Sequence, residues 1–414
     1  MKKGLLLSFL ALAGFSNAQL VSDSVTMGAG YANNIWYSLA NDEQGTAQPA
    51  NNWDIGMATT ISPSNPLAAS IIFNNKIGTV YAVPGSNGTD LATADTAGIA
   101  GWTTLYNSEI TWTEGALNAA SAGGVDYGWG NYDAVNHTGI VANRVFAIKY
   151  TNGSCKLFTV SLPFSSMAYE INYSDADHSN SGTISVPFAA SAAKNYIYYS
   201  FTSAAIVDRE PASASWDLYF TQYCANIGAP YPYNLVTGVL HNVGVEVAEV
   251  HPVNNPETDM SFETAAYSED INTIGYDWKT YAGTYTIEDS TVYFVKDKSG
   301  DYWRLVMTAF SGSALGKTVF KKEKVATLSV SENNELISGI FPNPASDKVT
   351  VMVDSKAGAT LKVVSLTGAV VYESAASNGL EAMSISTADF TNGIYLVQVS
   401  NGSATTTQRL VVQH

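Results

Sequence analysis

The sequence of 414 residues has a formal net charge of −16, is 46% hydrophobic and contains 24 tyrosines and 8 tryptophans. This apolar and aromatic content excludes a disordered chain and supports buried cores. The negative charge argues against nucleic acid and anionic membrane surfaces as partners, because both bind through cationic side chains.

Residues 1–18 predict a secretory signal peptide. The stretch MKKGLLLSFLALAGFSNA has a lysine pair, an apolar run and small residues before Gln19, which would begin the mature chain. The apolar run is too short to span a bilayer and no later stretch comes close, so we expect no transmembrane segment. No cysteine follows the cleavage position, so the sequence predicts no lipid anchor there.

The middle of the chain contains an internal repeat. Sequence blocks recur in the same order, for example NNIWYSL at 33–39 and KNYIYYSF at 194–201. A later pair, VFAIKYTNGSCKLFTV at 145–160 and VYFVKDKSGDYWRLVM at 292–307, reads as a β-hairpin around a glycine-containing turn. The period of roughly 150–165 residues is that of a whole domain rather than of a solenoid unit.

The repeat and the strand signals define the predicted organisation. Val, Ile, Tyr, Phe and Thr alternate with polar residues in both copies, and no long segment has helical periodicity. We therefore predict an all-β protein with two tandem antiparallel β-rich domains and a small C-terminal β-sandwich. The predicted boundaries are 19–190 for the first copy, 191–325 for the second, 326–336 for a linker and 337–414 for the last domain.

A Trp-Asp pair begins a predicted strand in each copy, WDIGM at Trp53 and WDLYF at Trp216. An acid beside a large aromatic side chain is compatible with catalysis or with a structural role. A glycosidase needs two carboxylates across one bond, and neither copy repeats a second acid. We therefore predict that Asp54 and Asp217 accept backbone N–H groups in a turn while the two indoles enter the core.

Cys155 and Cys224 are the only cysteines. An exported protein can form disulfides, so the two can pair or can both be small buried apolar residues, and their spacing does not decide between these alternatives. The sequence has no CxxC motif and no Cys-His cluster, so we predict no structural metal site.

Several motifs in the two copies share one family pattern. In the second copy they are WDLYFTQY at 216–223, YNLVTGVLHNVGVEVAEV at 233–250 and TVYFVKDKSGDYWRLVM at 291–307. In the first they are WDIGM at 53–57 and NHTGIVANRVFAIKYTNGSCKLFTV at 136–160. These motifs resemble the HmuY family, secreted or surface haem-binding proteins of Bacteroidetes. The resemblance implies a non-catalytic protein that binds haem or a related tetrapyrrole. Haemophore-type members of this family typically have a lipid-attachment cysteine. This sequence has none, which indicates a different function.

Haem binding needs an apolar slot and one or two axial ligands, usually His, Met, Cys or Tyr. His241 and His251 bracket one predicted strand and would lie roughly 30 Å apart along an extended chain, so this pair is a poor clamp for one iron. One histidine with a Met or Tyr partner is easier to arrange. For each histidine, a plain surface or loop role stays open. The candidate haem ligands are His137, His241, His251, Met260 and Tyr233.

Residues 337–414 predict a small antiparallel sandwich of short alternating runs closed by Gly, Asn or Pro. Four motifs occur in order, FPNPASD at 341–347, SLTGAVV at 365–371, GIYLVQV at 393–399 and RLVV at 409–412. Together they resemble the type A C-terminal sorting domain of the type IX secretion system. The resemblance implies export across the outer membrane by that machinery, followed by release or by attachment to the cell surface.

Three functions are compatible with residues 19–325. The first is haem or tetrapyrrole capture, by one copy or by both. If only one copy binds, the second, with the fuller motif set, is the expected site. The second is a surface module that binds glycans or protein through exposed aromatic side chains, such as those of PYPY at 230–233. The third, an extracellular hydrolase, is least favoured because no acid–base constellation repeats. We therefore predict that the protein is not an enzyme and has no catalytic residues.

Overall fold

A computed structural model describes residues 20–59, 69–191, 193–230, 232–325, 336–355, 358–401 and 405–414. The chain divides into two compact units, 1–327 and 328–414. The predicted signal peptide and residues 326–335 of the predicted linker lie outside the described residues. Among the described residues there is no helix with both the length and the apolar character that a membrane span requires.

The fold is all-β, as the alternating patterns predicted. Described helical structure consists of short 3₁₀ turns at Ala29–Tyr31, Asp90–Ala92, Ile99–Gly101, Asn118–Ala120, Phe188–Ser191, Ser213–Ser215, Ser261–Glu263 and Gly312–Ala314. The strands of the first unit are β1 Val21–Thr26, β2 Asn33–Ser38, β3 Asp42–Pro49, β4 Ile55–Ala58, β5 Ile71–Phe73, β6 Gly78–Ala82, β7 Gly130–Tyr132, β8 Gly139–Ala142, β9 Phe146–Tyr150, β10 Cys155–Pro163, β11 Ala168–Asp175, β12 Gly182–Pro187, β13 Tyr196–Ser200, β14 Ala205–Val207, β15 Leu218–Asn226, β16 Tyr233–His241, β17 Glu246–Val250, β18 Lys279–Tyr281, β19 Tyr285–Ile287, β20 Val292–Lys296, β21 Tyr302–Phe310 and β22 Lys317–Val325.

The first unit contains two β-sandwiches with the same strand order. In sandwich A, the sheet β1-β22-β21-β20-β17 packs on the sheet β3-β2-β15-β16. In sandwich B, the path β12-β11-β10-β9-β6 packs on β14-β13-β4-β5, while β8 and β7 extend the first sheet from β10. The equal order shows that the sequence repeat is also a repeat of topology.

The predicted hairpins occupy matching places in the two sandwiches. β9 and β10 join through TNGS and β20 and β21 through KSGD, and the strands pair antiparallel in both. Gly153 and Gly300 sit in these turns with φ of 88° and 84°. Glycine adopts this left-handed conformation without the penalty that a Cβ brings, which explains its place in each turn.

The two copies exchange their opening strands. β1 pairs with β22, placing Val21 opposite Lys322, and β2 pairs with β15, placing Tyr37 opposite Leu218. In return, β12 pairs with β11 and β13 pairs with β4. Sandwich A thus combines β1–β3 with β15–β22, and sandwich B consists of β4–β14. The sandwiches do not coincide with the predicted ranges 19–190 and 191–325. β1, β2 and β13 pair across that boundary, while β12, which corresponds to β1 in the strand order, lies within the first range.

The second unit is the small antiparallel sandwich predicted for residues 337–414. A sheet of order β23-β24-β27 packs on a sheet of order β26-β25-β28-β29, with Val351, Val363 and Val397 among the fully buried residues. The strands are β23 Ile337–Phe341, β24 Lys348–Ser355, β25 Ala359–Ser365, β26 Val370–Ala376, β27 Gly379–Ser386, β28 Gly393–Ser400 and β29 Thr405–Val412.

Cys155 and Cys224 are free thiols. Cys155 begins β10 in sandwich B, and Cys224 lies in β15 of sandwich A. Burial raises the pKa of the Cys224 thiol to about 11, so this group is protonated at neutral pH.

Candidate functional site: an aromatic cleft between the sandwiches

The two Trp-Asp pairs lie where the chain crosses between the sandwiches. Asp54 Oδ2 accepts the N–H of Phe201 at 2.8 Å, and its Oδ1 accepts the hydroxyl of Tyr150 at 2.6 Å. Asp217 Oδ2 accepts the N–H of Leu39 at 2.8 Å. Both carboxylates are buried, and desolvation raises the pKa of each. Each acid therefore binds the backbone just after the other copy's second strand, β13 or β2.

Two buried asparagines complete this arrangement. Asn74 Nδ2 donates to the carbonyls of Ala50 and Trp53, at 2.9 and 2.8 Å. Asn242 Nδ2 donates to the carbonyl of Trp216 at 2.7 Å. The sequence reasoning missed this role. The signal was present, because NNKIG and HNVGV are matched blocks of the repeat and both carry an asparagine.

Arg209 joins the two crossing segments. Its guanidinium is buried and lies over the rings of Trp53 and Tyr198, each at 5.2 Å, and of Trp36 at 5.5 Å. It donates to Asn34 Oδ1 at 2.5 Å and to Asn52 Oδ1 at 2.9 Å. Cation–π contacts and charge-assisted hydrogen bonds together stabilise a cation that burial alone would disfavour.

A cleft opens beside this junction, and both sandwiches contribute to it. Its cavity volume is about 60 Å³. Asn107 and Gln222 add amide groups and Glu114 adds a carboxylate to its lining. The aromatic rings that line it are those of Trp53, Trp112, Tyr198, Tyr219 and Tyr223. The other polar residues of the lining are Asn74, Asn75, Ser108, Thr111 and Thr221, so aromatic rings alternate there with hydrogen-bonding groups.

Two hydrogen-bond donors in this lining have no partner among the described residues. They are the indole N–H of Trp53 and the hydroxyl of Tyr223, both buried. Burial, with the nearby carboxylates of Asp277 and Glu109, raises the pKa of Tyr223, so the hydroxyl stays protonated. A buried donor without an acceptor costs about 1–3 kcal/mol, so a bound acceptor at either group would be stabilised.

A stacked tyrosine pair lies beside the cleft. The rings of Tyr106 and Tyr233 are 4.2 Å apart and nearly parallel, at 13°. Tyr233 begins β16, is 43% exposed and pairs with Asn226 of β15, the strand that also carries Cys224 of the cleft lining. This is where the structure places the PYPY motif's last tyrosine. His241 also adjoins the cleft, because it follows the lining residue Leu240 and its carbonyl accepts the indole N–H of Trp112 at 2.9 Å.

His241 is buried at the far end of β16. Its Nε2 lies 2.8 Å from the carbonyl oxygen of Asp270, and Nδ1 lies 3.2 Å from that of Asn242. Burial lowers the pKa of His241, and the hydrogen bonds to these two carbonyls act in the opposite direction. Eight residue rises separate it from Tyr233 along the strand, roughly 26 Å, which excludes a shared iron for these two.

The other predicted ligands lie on separate elements. His137 is exposed in the loop between β7 and β8, with Nδ1 2.5 Å from the hydroxyl of Tyr132. His251 follows β17, with Nδ1 2.9 Å from the hydroxyl of Thr291. Met260 is half exposed, and its sulfur lies 3.7 Å from a guanidinium nitrogen of Arg304. The described residues contain no group of three or more His, Cys, Asp or Glu side chains suited to a metal ion.

The fold and this cleft define an all-β protein with two strand-exchanged sandwiches and a separate terminal sandwich. Residues 339–413 match the family described as "Secretion system C-terminal sorting domain". The terminal sandwich is thus the predicted type IX sorting domain, and the protein is exported to the cell surface or the extracellular space. The HmuY resemblance and the assignment to Bacteroidetes are not shown by this match and stay predictions.

Comparisons of the whole chain with known proteins give no further information on fold or function. No curated protein matches the sequence. A solved structure titled "Biofilm associated protein - BSP domain" is 10% identical, with 100% of this chain and 84% of that chain covered and a TM-score of 0.18. A TM-score this low carries no argument about fold or function.

Proposed function

We propose that the protein is a secreted, non-catalytic binding protein that takes a neutral glycan at the aromatic cleft. The observation that supports this proposal is the pair of unpartnered donors, Trp53 Nε1–H and the Tyr223 hydroxyl, in an aromatic lining. Sugar rings present apolar faces that pack on aromatic rings and hydroxyl oxygens that accept hydrogen bonds. The Gln222 amide adds a further group for sugar hydroxyls, whereas the Asn107 amide is engaged with Phe73 and Ala116.

The size of the cleft indicates how such a ligand would bind. A volume of about 60 Å³ corresponds to roughly two water molecules. One hydroxymethyl or hydroxyl group would enter and reach one of the two donors, while the sugar ring would pack on the exposed Tyr233 beside the cleft. The net charge of −16 favours a neutral ligand over an anionic one.

Haem capture, which the family resemblance implies, has less support from these residues. A porphyrin needs a pocket of several hundred Å³, well above the volume of this cleft. Both ring nitrogens of His241 face carbonyl oxygens, and Tyr233 lies roughly 26 Å away along the same strand. The carboxylates of haem would also meet a strongly negative protein. We therefore place the glycan proposal first.

Tryptophan emission can test the two alternatives in one titration series. All eight tryptophans lie in the first unit, since the last is Trp303. The full chain would be titrated with neutral glucan, mannan and xylan oligosaccharides and, separately, with hemin. The proposal predicts saturable quenching by one sugar class and no saturable Soret shift with hemin.

Variants locate the site in that assay. Tyr223→Phe removes one unpartnered donor and is expected to weaken sugar binding about tenfold, the usual scale of a lost buried hydrogen bond. Tyr233→Ala removes the exposed ring and is expected to weaken it as well. Tyr281→Ala is the matched control, because Tyr281 is 67% exposed on the separate β18–β19 hairpin. Equal binding by all variants, or a saturable hemin spectrum without sugar binding, would reject the proposal.

A further inference from the structure

The opening strands of the chain pair only with distant sequence in sandwich A. β1 pairs with β22 along its whole length, from Val21 opposite Lys322 to Thr26 opposite Lys317. β2 pairs with β15 and carries Tyr37, which is almost fully buried in the core of this sandwich. β3 pairs with β2 and so joins the same sheet. The N-terminal strands are therefore an integral part of a body whose other strands all follow residue 217.

Sandwich B contains the corresponding exchange, in which β12 and β13 take the places that β1 and β2 take in sandwich A. β12 and β13 pair there with β11 and β4, and the strand orders of the two sandwiches match. The carboxylates of Asp54 and Asp217 bind equivalent N–H groups, at Phe201 and Leu39, both at 2.8 Å. The two halves of one chain thus make the contacts that two chains make in a reciprocally strand-exchanged dimer.

The crossing between the sandwiches after β14 is short. Glu210 is held in sandwich B, where its carboxylate accepts the N–H groups of Asn195 and Tyr196 at 3.0 and 3.1 Å. Trp216 is held in sandwich A by Asn242, and only residues 211–215 lie between Glu210 and Trp216. These five residues include the 3₁₀ turn Ser213–Ser215, and the N–H of Ser213 donates to the carbonyl of Ala193 in sandwich B at 2.8 Å. Short connections favour exchange between molecules, since a long one would let each chain close on itself freely.

We propose that two copies of this chain exchange strands between molecules and form a dimer. Residues 20–210 of one copy complete sandwich A of the other, which is built on residues 216–325, and the reverse. Every contact outside the crossing is the same in the closed monomer and in the exchanged dimer. The two forms differ in the path of 211–215 and in the bonds that Ser213 makes with Ala193 and Asn242. This proposal goes beyond glycan binding, because the cleft is preserved in both forms and no ligand is needed.

Cross-strand cysteines can detect the exchange directly. Ser22 and Lys321 are opposite each other on β1 and β22. One full chain would carry Ser22→Cys and a second Lys321→Cys, both with Cys155→Ser and Cys224→Ser. The two would be unfolded together, refolded as a mixture, oxidised and separated by non-reducing electrophoresis. Exchange predicts a covalent dimer between the two variants.

Three controls test whether the variants fold, whether covalent dimers form without strand exchange, and whether the length of the crossing matters. A single chain with both Ser22→Cys and Lys321→Cys should form the internal crosslink, which shows that the variants fold and that the pair can join. A mixture of Ser22→Cys and Ser299→Cys chains, where Ser299 is exposed in the β20–β21 turn, should form no covalent dimer. A short Gly-Ser insertion after Pro211 lengthens the crossing and should reduce the amount of covalent dimer formed between the Ser22→Cys and Lys321→Cys chains. The proposal is overturned if the internal crosslink forms in the single chain while the mixture of Ser22→Cys and Lys321→Cys chains gives no more covalent dimer than the mixture of Ser22→Cys and Ser299→Cys chains.

Discussion

Asp54 and Phe201 are 147 residues apart in sequence, yet the N–H of Phe201 donates a 2.8 Å hydrogen bond to Oδ2 of Asp54. The equivalent bond joins Leu39 to Asp217 across 178 residues. In each case an acid immediately before a strand of one copy binds the backbone that follows the second strand, β13 or β2, of the other. These two bonds fix the strand exchange at the points where the chain crosses between the sandwiches.

Removing one of these acids should destabilise the first unit. Asp54→Ala leaves the buried N–H of Phe201 and the hydroxyl of Tyr150 without an acceptor, at an expected cost of about 3 kcal/mol in the free energy of unfolding. Urea unfolding followed by tryptophan emission measures this unit alone. Asp208→Ala is the matched control, because the Asp208 side chain is 84% exposed and its loss should change stability by less than about 0.5 kcal/mol. Equal midpoints for the two variants would contradict the structural role of Asp54.

Lys279 should make the stability of the first unit rise at alkaline pH. Its Nζ is buried against Trp278 and donates to the carbonyl of Thr237 at 2.7 Å, and burial lowers its pKa to about 7. Between about pH 7 and 10.5 the unfolded chain holds a proton that the folded chain has lost, so stability increases with pH across this window. Lys298, with a pKa lowered to about 8 by burial, acts in the same direction.

The measurement for Lys279 is the urea midpoint at a series of pH values from 7 to 10. Lys279→Met should show a clearly smaller rise than the unmodified chain, while Lys348→Met, in the second unit, should leave the tryptophan-detected rise unchanged. Parallel curves for the Lys279→Met variant and the unmodified chain would show that this lysine is not the source of the dependence.

The repeat could be predicted from the sequence, but the exchange of strands between the two copies could not. Matched blocks such as NNIWYSL and KNYIYYSF, and the alternation within them, predicted the strands and their duplication. A strand pairs in the same way with its own copy or with the other copy, so local pattern holds no information on which occurs. The cleft depends on that choice, since Trp53 and Trp112 come from the first copy and Tyr219 and Tyr223 from the second. Its residues therefore could not be grouped from sequence.

The ligand candidates were less predictable still, for a related reason. His241 closes a strand motif in the sequence, and only the fold shows that the chain around Asp270 covers its ring. Tyr233 was chosen as a possible iron ligand, whereas its environment is a stack on Tyr106, 127 residues earlier. Whether a polar side chain is exposed or covered depends on loops from distant sequence, which periodicity does not describe.

Glu210 should give the first unit a second pH dependence, at mildly acidic pH. Burial raises the pKa of this carboxyl to about 7. Between about pH 4.5 and 7 the folded chain holds a proton that the unfolded chain has lost, so this group makes stability rise as pH falls through the window. Glu210→Gln cannot titrate and should lose this contribution, measured as the change in urea midpoint between pH 7 and pH 5. A control in Asp208→Asn, where the carboxylate is exposed, should keep it, and an unchanged slope in Glu210→Gln would contradict the assignment.

Tyr223 should show opposite effects on stability and on binding. Its buried hydroxyl has no partner among the described residues, so Tyr223→Phe removes a desolvated polar group and is expected to raise the free energy of unfolding by up to about 1 kcal/mol. Tyr169→Phe is the matched control, because the Tyr169 hydroxyl donates to the carbonyl of Ala58 at 2.9 Å and its loss should lower stability by about 1 kcal/mol. Urea unfolding of both variants, with sugar titrations of each, separates the effects. If the site is kept for a ligand at some expense of stability, Tyr223→Phe should be more stable and bind sugar more weakly. Tyr169→Phe should be less stable and bind sugar normally. A destabilised Tyr223→Phe would mean that the hydroxyl serves the fold instead.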